Sequence, residues 1–177
     1  MRDQGPTSVV VFTGLPGTGK STLAECVARS IRAPAFAGDW LMGAVKPYGV
    51  LDHLDRPTYL AMYDNLLYTL VIRQLMLGQP AVVDCLITDD VAARWREAAT
   101  RYGGDLLVVE CVCTDLDLHR ARVVDRRRDI PGWHEIDWNH VIRMRNEYPP
   151  LTVDHVTVDA TNPLADNVRY VLDRVNG

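Results

Sequence analysis

The sequence predicts a three-layer α/β fold, a doubly wound parallel sheet of five strands with helices on both faces. Short β-rich apolar runs alternate along the chain with longer stretches of helical period. The first of these runs, SVVVFTG, is continuously apolar, as a strand buried on both faces is. Strands separated by helices pair in parallel through right-handed crossovers. The 177 residues approach the roughly 150-residue size of one domain, so a single domain over 1–177 is expected.

The elements follow in order. SVVVFTG, residues 8 to 14, is the first strand. Leu23, Val27 and Ile31 recur at helical spacing, so a helix follows and ends near Pro34. APAFAG reads as a short second strand leading to Asp39. The largely apolar stretch from about Thr58 to Leu77 is a long helix with Gly78 as its C′ glycine. AVVDCL is the third strand. Val91, Trp95, Ala98 and Tyr102 mark a helix face opened by Thr88, Asp89 or Asp90 and stopped by Gly103-Gly104. LLVVECVC is the fourth strand. An arginine-rich helix runs from Asp115 to about Arg128, and RDIPGWHE breaks it. A further helix covers roughly Ile136 to Tyr148, and VDHVTVD is the fifth strand. Asn162 as cap and Pro163 at the first helical position open the last helix.

Composition narrows the function classes. Hydrophobic residues at 47% and charged residues at 24% exclude bulk disorder. Lys and Arg number 19 against 23 Asp and Glu, a net charge of −4, so a general nucleic-acid or anionic-membrane binder is disfavoured. The opening MRDQGPTSVVVF lacks a secretory signal pattern, and no apolar run approaches the roughly 20 residues of a membrane span. A soluble cytoplasmic chain without a membrane partner is expected. Cys26, Cys85, Cys111 and Cys113 read as thiols, since C-x-C within a strand does not suit a zinc site and a chain this long with no secretory signal does not suit a disulfide framework.

The chemistry begins at Gly14-Leu15-Pro16-Gly17-Thr18-Gly19-Lys20-Ser21, a complete G-x-x-x-x-G-K-[ST] match followed by Thr22. Glycines let successive amides turn inward as an anion nest, and the helix N-terminus adds partial positive charge. Lys20 then reaches the β- and γ-phosphates and the Ser21 hydroxyl ligates Mg²⁺. A guanine-reading N-K-x-D segment is lacking, which argues against a GTPase. Cys85, not Glu, follows Asp84, which argues against a motor ATPase that activates water.

With that loop in that context, the chain resembles the P-loop kinases, in particular the small-kinase group of chloramphenicol phosphotransferase, gluconate kinase, the zeta toxins and adenylate kinase. The resemblance implies strand order 2-3-1-4-5, ATP and Mg²⁺ as cofactors, and a short arginine-bearing lid at approximately 126–138. It implies an ATP-dependent transfer of the γ-phosphoryl group to a hydroxyl of a small molecule: an antibiotic, a nucleoside or a sugar-like metabolite. By the same resemblance Asp84 accepts from Mg²⁺-bound water and Asp39 orients the acceptor hydroxyl or takes its proton. Arg122 stacks on adenine, Arg126 clamps phosphate with Arg127 in reserve, and Asn162 passes backbone around the adenine edge.

Plainer readings stand beside these. Asp84 caps a turn, Asp39 caps a helix, the arginines form a solvated face, and Asn162 only opens the last helix. Arg94, Tyr59, Met62, Tyr63, Trp133, His134, Glu135 and Trp138 are candidates for the acceptor side, and His53 and Asp55 have no interpretable partner. A polynucleotide 5′-kinase and a non-catalytic nucleotide sensor are the alternative classes, and the chain is expected to be a monomer or homodimer.

Overall fold

The computed structural model describes residues 8–176. Five parallel strands, β1 (Ser8–Thr13), β2 (Ala35–Ala37), β3 (Ala81–Asp84), β4 (Asp105–Val112) and β5 (Val156–Asp159), lie in the order β2-β3-β1-β4-β5. The expected order holds. The helices are α1 (Lys20–Ile31), α2 (Gly38–Val45), α3 (Arg56–Met76), α4 (Asp89–Arg101), α5 (Leu116–Val124), α6 (Trp138–Glu147) and α7 (Leu164–Asn176), with a 3₁₀ turn at Lys46–Tyr48.

The unbroken apolar run of β1 serves two cores at once. Val9 and Val11 face α3 and α4, where Leu67, Val71 and Trp95 meet them. Val10 and Phe12 face α1 and α7, against Leu23, Val27 and Val171. All four β1 side chains are fully buried, and each contributes about 1.5–3 kcal/mol by leaving water. The helices start and stop on the expected chemistry. Thr88 caps α4 by accepting from the Val91 amide, and Gly78 and Gly103 take positive φ at helix exits. Asp55, which had no partner in the sequence reading, caps α3 by accepting from the Thr58 amide at 2.8 Å.

Four expectations need correction. Asp39 lies inside α2, a helix the sequence pattern did not mark, and the cap position is Ala37, so Asp39 is not a cap. α6 begins at Trp138 and not at Ile136. The Pro163 carbonyl accepts the Asn167 amide that opens α7, so the proline precedes the helix and Asn162 stands one residue outside. Most consequential, α5 ends at Val124 and residues 126–130 run without helix. In that stretch Arg126, Arg128 and Ile130 turn inward while Arg127 and Asp129 are exposed. A helix would crowd three consecutive guanidinium groups around one turn. An extended backbone sends alternate side chains to opposite sides, so two arginines face the acids of the interior and one faces water.

The segment after these arginines is clasped to α2. A Cβ on Gly43 would lie 2.5 Å from the Pro131 carbonyl oxygen, and one on Gly132 would strike the Gly43 carbonyl. Gly132 also has φ +71°, a region where side chains are strained. Gly132→Ala is expected to destabilise the fold by about 1–3 kcal/mol, read as a lowered urea midpoint; an unchanged midpoint would show that the clasp is loose.

Candidate functional site

Between the end of β1 and Lys20 the chain turns over the carboxyl ends of the strands. Gly14, Gly17 and Gly19 all have positive φ, at 135°, 88° and 78°. A Cβ on Gly14 would strike the Cys111 carbonyl, and one on Gly17 would sit 2.6 Å from Val123 Cγ2. Thr18 is buried, and its hydroxyl donates to the Leu15 carbonyl at 2.8 Å, tying the loop to itself. Gly19 is the N-cap of α1 and offers no side-chain cap, which leaves the first amides of that helix to other acceptors. Thr13 Oγ1 accepts from the Ile87 amide at 3.2 Å and joins the loop's entry to the segment after β3.

Beneath the loop lies a residue that sequence reasoning missed. His119 of α5 is buried, with 1% exposed, and its Nε2–H donates to the Pro16 carbonyl at 2.8 Å. Its Nδ1 accepts from Arg145 at 3.4 Å, and Trp138 meets the ring edge-on at 5.1 Å. The tautomer follows from these partners. Burial holds the imidazole pKa below its ordinary value; the bond to Pro16 opposes this, and the charges of Arg145 and Arg122 reinforce it. A lone histidine on a helix carries no motif, so no sequence signal pointed to it.

Two cavities flank Lys20. The first, about 330 Å³, is lined by Gly17 to Leu23, Arg122, Arg126, Asn162 and Asn167. Arg122 donates to the Ala160 carbonyl at 3.0 Å, bridging α5 to the loop after β5. Asn162 is on this wall, and Asn167 braces the same loop by donating to the Asp159 carbonyl at 2.8 Å. Arg126 is thus beside the loop although the helix that was to carry it has ended. Burial lowers its pKa first, the charge of Arg128 lowers it further, and Asp39, Asp84 and Glu135 pull the other way. No ion pair holds Arg126 among the described residues.

The second cavity, about 780 Å³, also has Lys20 on its wall, together with Gly14, Pro16, Asp39 and Asp84. Register aligns Asp84 with Phe12 across β3 and β1, which sets its carboxylate beside the loop. Asp84 Oδ1 is buried and has no hydrogen-bond partner among the described residues. Cys85 next to it is buried, and burial followed by the charge of Asp84 pushes its thiol well above the ordinary range, so it stays protonated. Asp39 pairs with Arg128, whose side chain is only 13% exposed. Arg128 is the second residue that the sequence reading missed; the alternation 126, 128, 130 in a non-helical stretch was the signal available for it. Arg127 lies on the exposed side.

Other candidates sort themselves. Tyr59, Tyr63, Trp133 and His134 line the larger cavity. Arg94 does not; it pairs with Asp64 and lies over the Tyr68 ring at 3.9 Å. Trp138 packs under the loop against His119, and the Glu135 carboxylate accepts from the Arg128 amide at 2.8 Å. His134 approaches Lys46 at 3.1 Å.

A family model described as "AAA domain" (AAA_33) matches residues 9–151, from the first strand through the segment after α6. The chain belongs to this family. No curated protein matches it. Among solved structures, a gluconokinase from Sinorhizobium meliloti 1021 shares 24% identity at TM-score 0.67, covering 95% of this chain and 90% of that one. The Mycobacterium tuberculosis APS kinase CysC, in complex with AMPPNP and APS, shares 20% at 0.61, covering 98% and 100%. Kti12 from Chaetomium thermophilum, in complex with ADP-AlF3, shares 15% at 0.68, covering 94% and 96%. At these identities the likeness shows the fold, and that fold is P-loop-kinase-like.

The residues present fit a magnesium nucleoside triphosphate. The glycine turn with open helix amides suits phosphate oxygens. Ser21, together with the unpartnered Asp84 oxygen, suits a hard cation that keeps waters and phosphate among its ligands. No helix among the described residues is long and apolar enough to cross a membrane.

The neutral His119 ring favoured by the fold leaves the unfolded chain the better proton binder below about pH 6.5. Stability contributed by this ring is therefore full above that pH and declines as pH falls. His119→Gln is expected to make the decline between pH 6.5 and 5.5 shallower and to cost about 1–3 kcal/mol at pH 7.5, both read from urea melts. An equally steep decline in the variant would assign the acid sensitivity to another group.

Proposed function

We propose that this chain is an ATP-dependent phosphotransferase that moves the γ-phosphoryl group of ATP to a hydroxyl of a small molecule. The observation that carries the reading is the place of Lys20, on the wall of both cavities, with the glycine cradle on one side and Asp39 with Asp84 on the other. A group handed from the first cavity to the second passes that ammonium.

In this reading the amides from Gly17 to Thr22 hold the phosphates, and Arg122 with the loop through Asn162 takes the adenine end. Mg²⁺, held by Ser21 and through water by Asp84, would neutralise charge on the β- and γ-phosphates. Asp39 receives the acceptor hydroxyl. The Arg128 ion pair fixes where that carboxylate points, so the hydroxyl oxygen is aimed at phosphorus before the reaction begins. The new bond forms between that oxygen and the γ-phosphorus as the bond to the β–γ bridging oxygen breaks, and the hydroxyl proton passes to Asp39. Arg126, desolvated and free of a carboxylate partner, stabilises the charge spread over the transferring oxygens. The segment at 126–138 covers the reacting phosphate and limits access of water. Transfer to water is further disfavoured because Cys85, a protonated thiol, stands where a water-activating carboxylate would be needed.

Lys20→Ala is expected to abolish binding of Mg-AMPPNP in calorimetry, and near-native affinity would refute the assignment. Asp39→Asn should keep nucleotide affinity within about threefold and lower alcohol-dependent ADP release by 10²–10⁴. Equal release by that variant would limit Asp39 to its ion pair with Arg128.

A further inference from the structure

Beyond the phosphate cradle, the smaller cavity is lined by the end of β5 and the start of α7, with Val158, Ala160, Asn162, Leu164 and Asn167 on its wall together with Arg122. Val158, Ala160 and Leu164 give it apolar surface, and Arg122 is tied to this loop by its bond to the Ala160 carbonyl at 3.0 Å. Apolar contact and a guanidinium plane suit any flat aromatic ring, since every base has a π-face. Which base is kept is therefore decided at the ring's polar edge.

The loop has few groups free for that edge. The Ala160 amide donates to the Val112 carbonyl at 2.8 Å, the Thr161 amide to Asp159 Oδ1 at 2.9 Å and the Asn162 amide to the Asp159 carbonyl at 3.1 Å. Pro163 has no amide hydrogen. No main-chain donor from 160 to 163 is left for a base. No carboxylate lines this cavity among the described residues. Asp159 is taken by Thr114 and Thr161, and Asp166 pairs with Arg169 at 3.0 Å.

What remains open is of two kinds. The Thr161 and Asn162 carbonyls accept no hydrogen bond among the described residues. The Leu164 amide stands in the first turn of α7, where amides lack a helical acceptor. These fixed groups fit either purine: a carbonyl takes adenine N6–H or guanine N1–H, and an amide gives to adenine N1 or guanine O6. The second kind is the Asn162 side chain, exposed and without a hydrogen bond among the described residues. A carboxamide carries an acceptor and two donors, and a half turn about its last torsion exchanges them. Adenine and guanine present opposite groups at ring positions 1 and 6, so a reversible amide satisfies both. A carboxylate, which only accepts, would satisfy guanine alone.

Resting on the phosphotransferase reading above, we infer that the site takes adenine and guanine nucleotides alike, and that the Asn162 side-chain amide is the group that matches itself to either purine. GTP is thereby a second phosphoryl donor for the same transfer. Nothing on this wall makes guanine selection exclusive, in keeping with the lack of an N-K-x-D segment.

The test is calorimetry of the full chain with Mg-AMPPNP and Mg-GMPPNP, whose dissociation constants are expected to lie within about tenfold of each other. Asn162→Asp should shift their ratio by at least about fivefold toward GMPPNP, because adenine N1 then meets a group that cannot donate. Asn162→Ala should weaken both analogues by at least about threefold. A larger preference for either purine in the unmodified chain, an unmoved ratio in Asn162→Asp, or undiminished binding in Asn162→Ala would each overturn the inference. Failure of the broader reading is separable, since neither analogue would then bind the unmodified chain.

Discussion

The constraint on which the rest depends is steric: six residues must carry the backbone from the end of β1 to the first turn of α1 with left-handed bends at three of them. Glycine makes those bends affordable, but glycine alone would leave the loop free to take other shapes. Its shape comes from what lies against it. The Cys111 carbonyl of the neighbouring strand occupies the space beside Gly14, and Val123 and His119 of α5 occupy the space behind Gly17. His119 then holds the Pro16 carbonyl by a buried hydrogen bond. Because α5 carries Arg122 as well, the helix that shapes the loop from behind also delivers a guanidinium to its front cavity. Lys20 and Ser21 inherit their positions from this turn, and Asp84 inherits its own from parallel register with Phe12.

A second arrangement sets the opposite side of the site. Asp39 and Arg128 come from segments far apart in sequence and meet where both are largely shielded from water. Such a pair contributes little net stability, because desolvation of both ions offsets their attraction. Its effect is on geometry, since a carboxylate held by a guanidinium has one direction in which to present its second oxygen. Arg128 Nε and Nη2 are buried without partners among the described residues, as is the Trp133 indole nitrogen. The segment that bears them is therefore rich in donors close to the carboxylate, and a small shift there changes which groups Asp39 faces.

Much of this was legible in the sequence, and the parts that were not share a physical cause. The phosphate loop is local, a run of eight consecutive positions from Gly14 to Ser21, so its pattern names it. Strand and helix alternation is also local, and the parallel sheet follows from it. In the expected helix from Asp115 to about Arg128, Arg122 and Arg126 stand four apart and share a face. They do border one cavity, but through a helix that stops at Val124 and a chain that then extends. Helical period concealed Arg128, which is adjacent to Arg126 only when every second residue turns inward. His119 had no spacing partner, because its contacts, Pro16 and Arg145, lie 103 and 26 residues away. The Asp55-Arg56-Pro57 step, a cap followed by proline in the first turn, was readable as a helix start and was passed over. The wall of the larger cavity was the least legible, for its side chains come from several separate segments and each looks like ordinary core in its own segment.

The contact between Gly43 and the Pro131–Gly132 backbone has a longer reach than its size suggests. It joins main chain to main chain, so it demands nothing of the residues around it except the lack of a Cβ at two places. Trp133, His134 and their neighbours can therefore be replaced over evolutionary time while the segment keeps its seat on α2. Descendants of this chain could come to admit a different ligand by exchanging side chains on a mount that never has to be rebuilt.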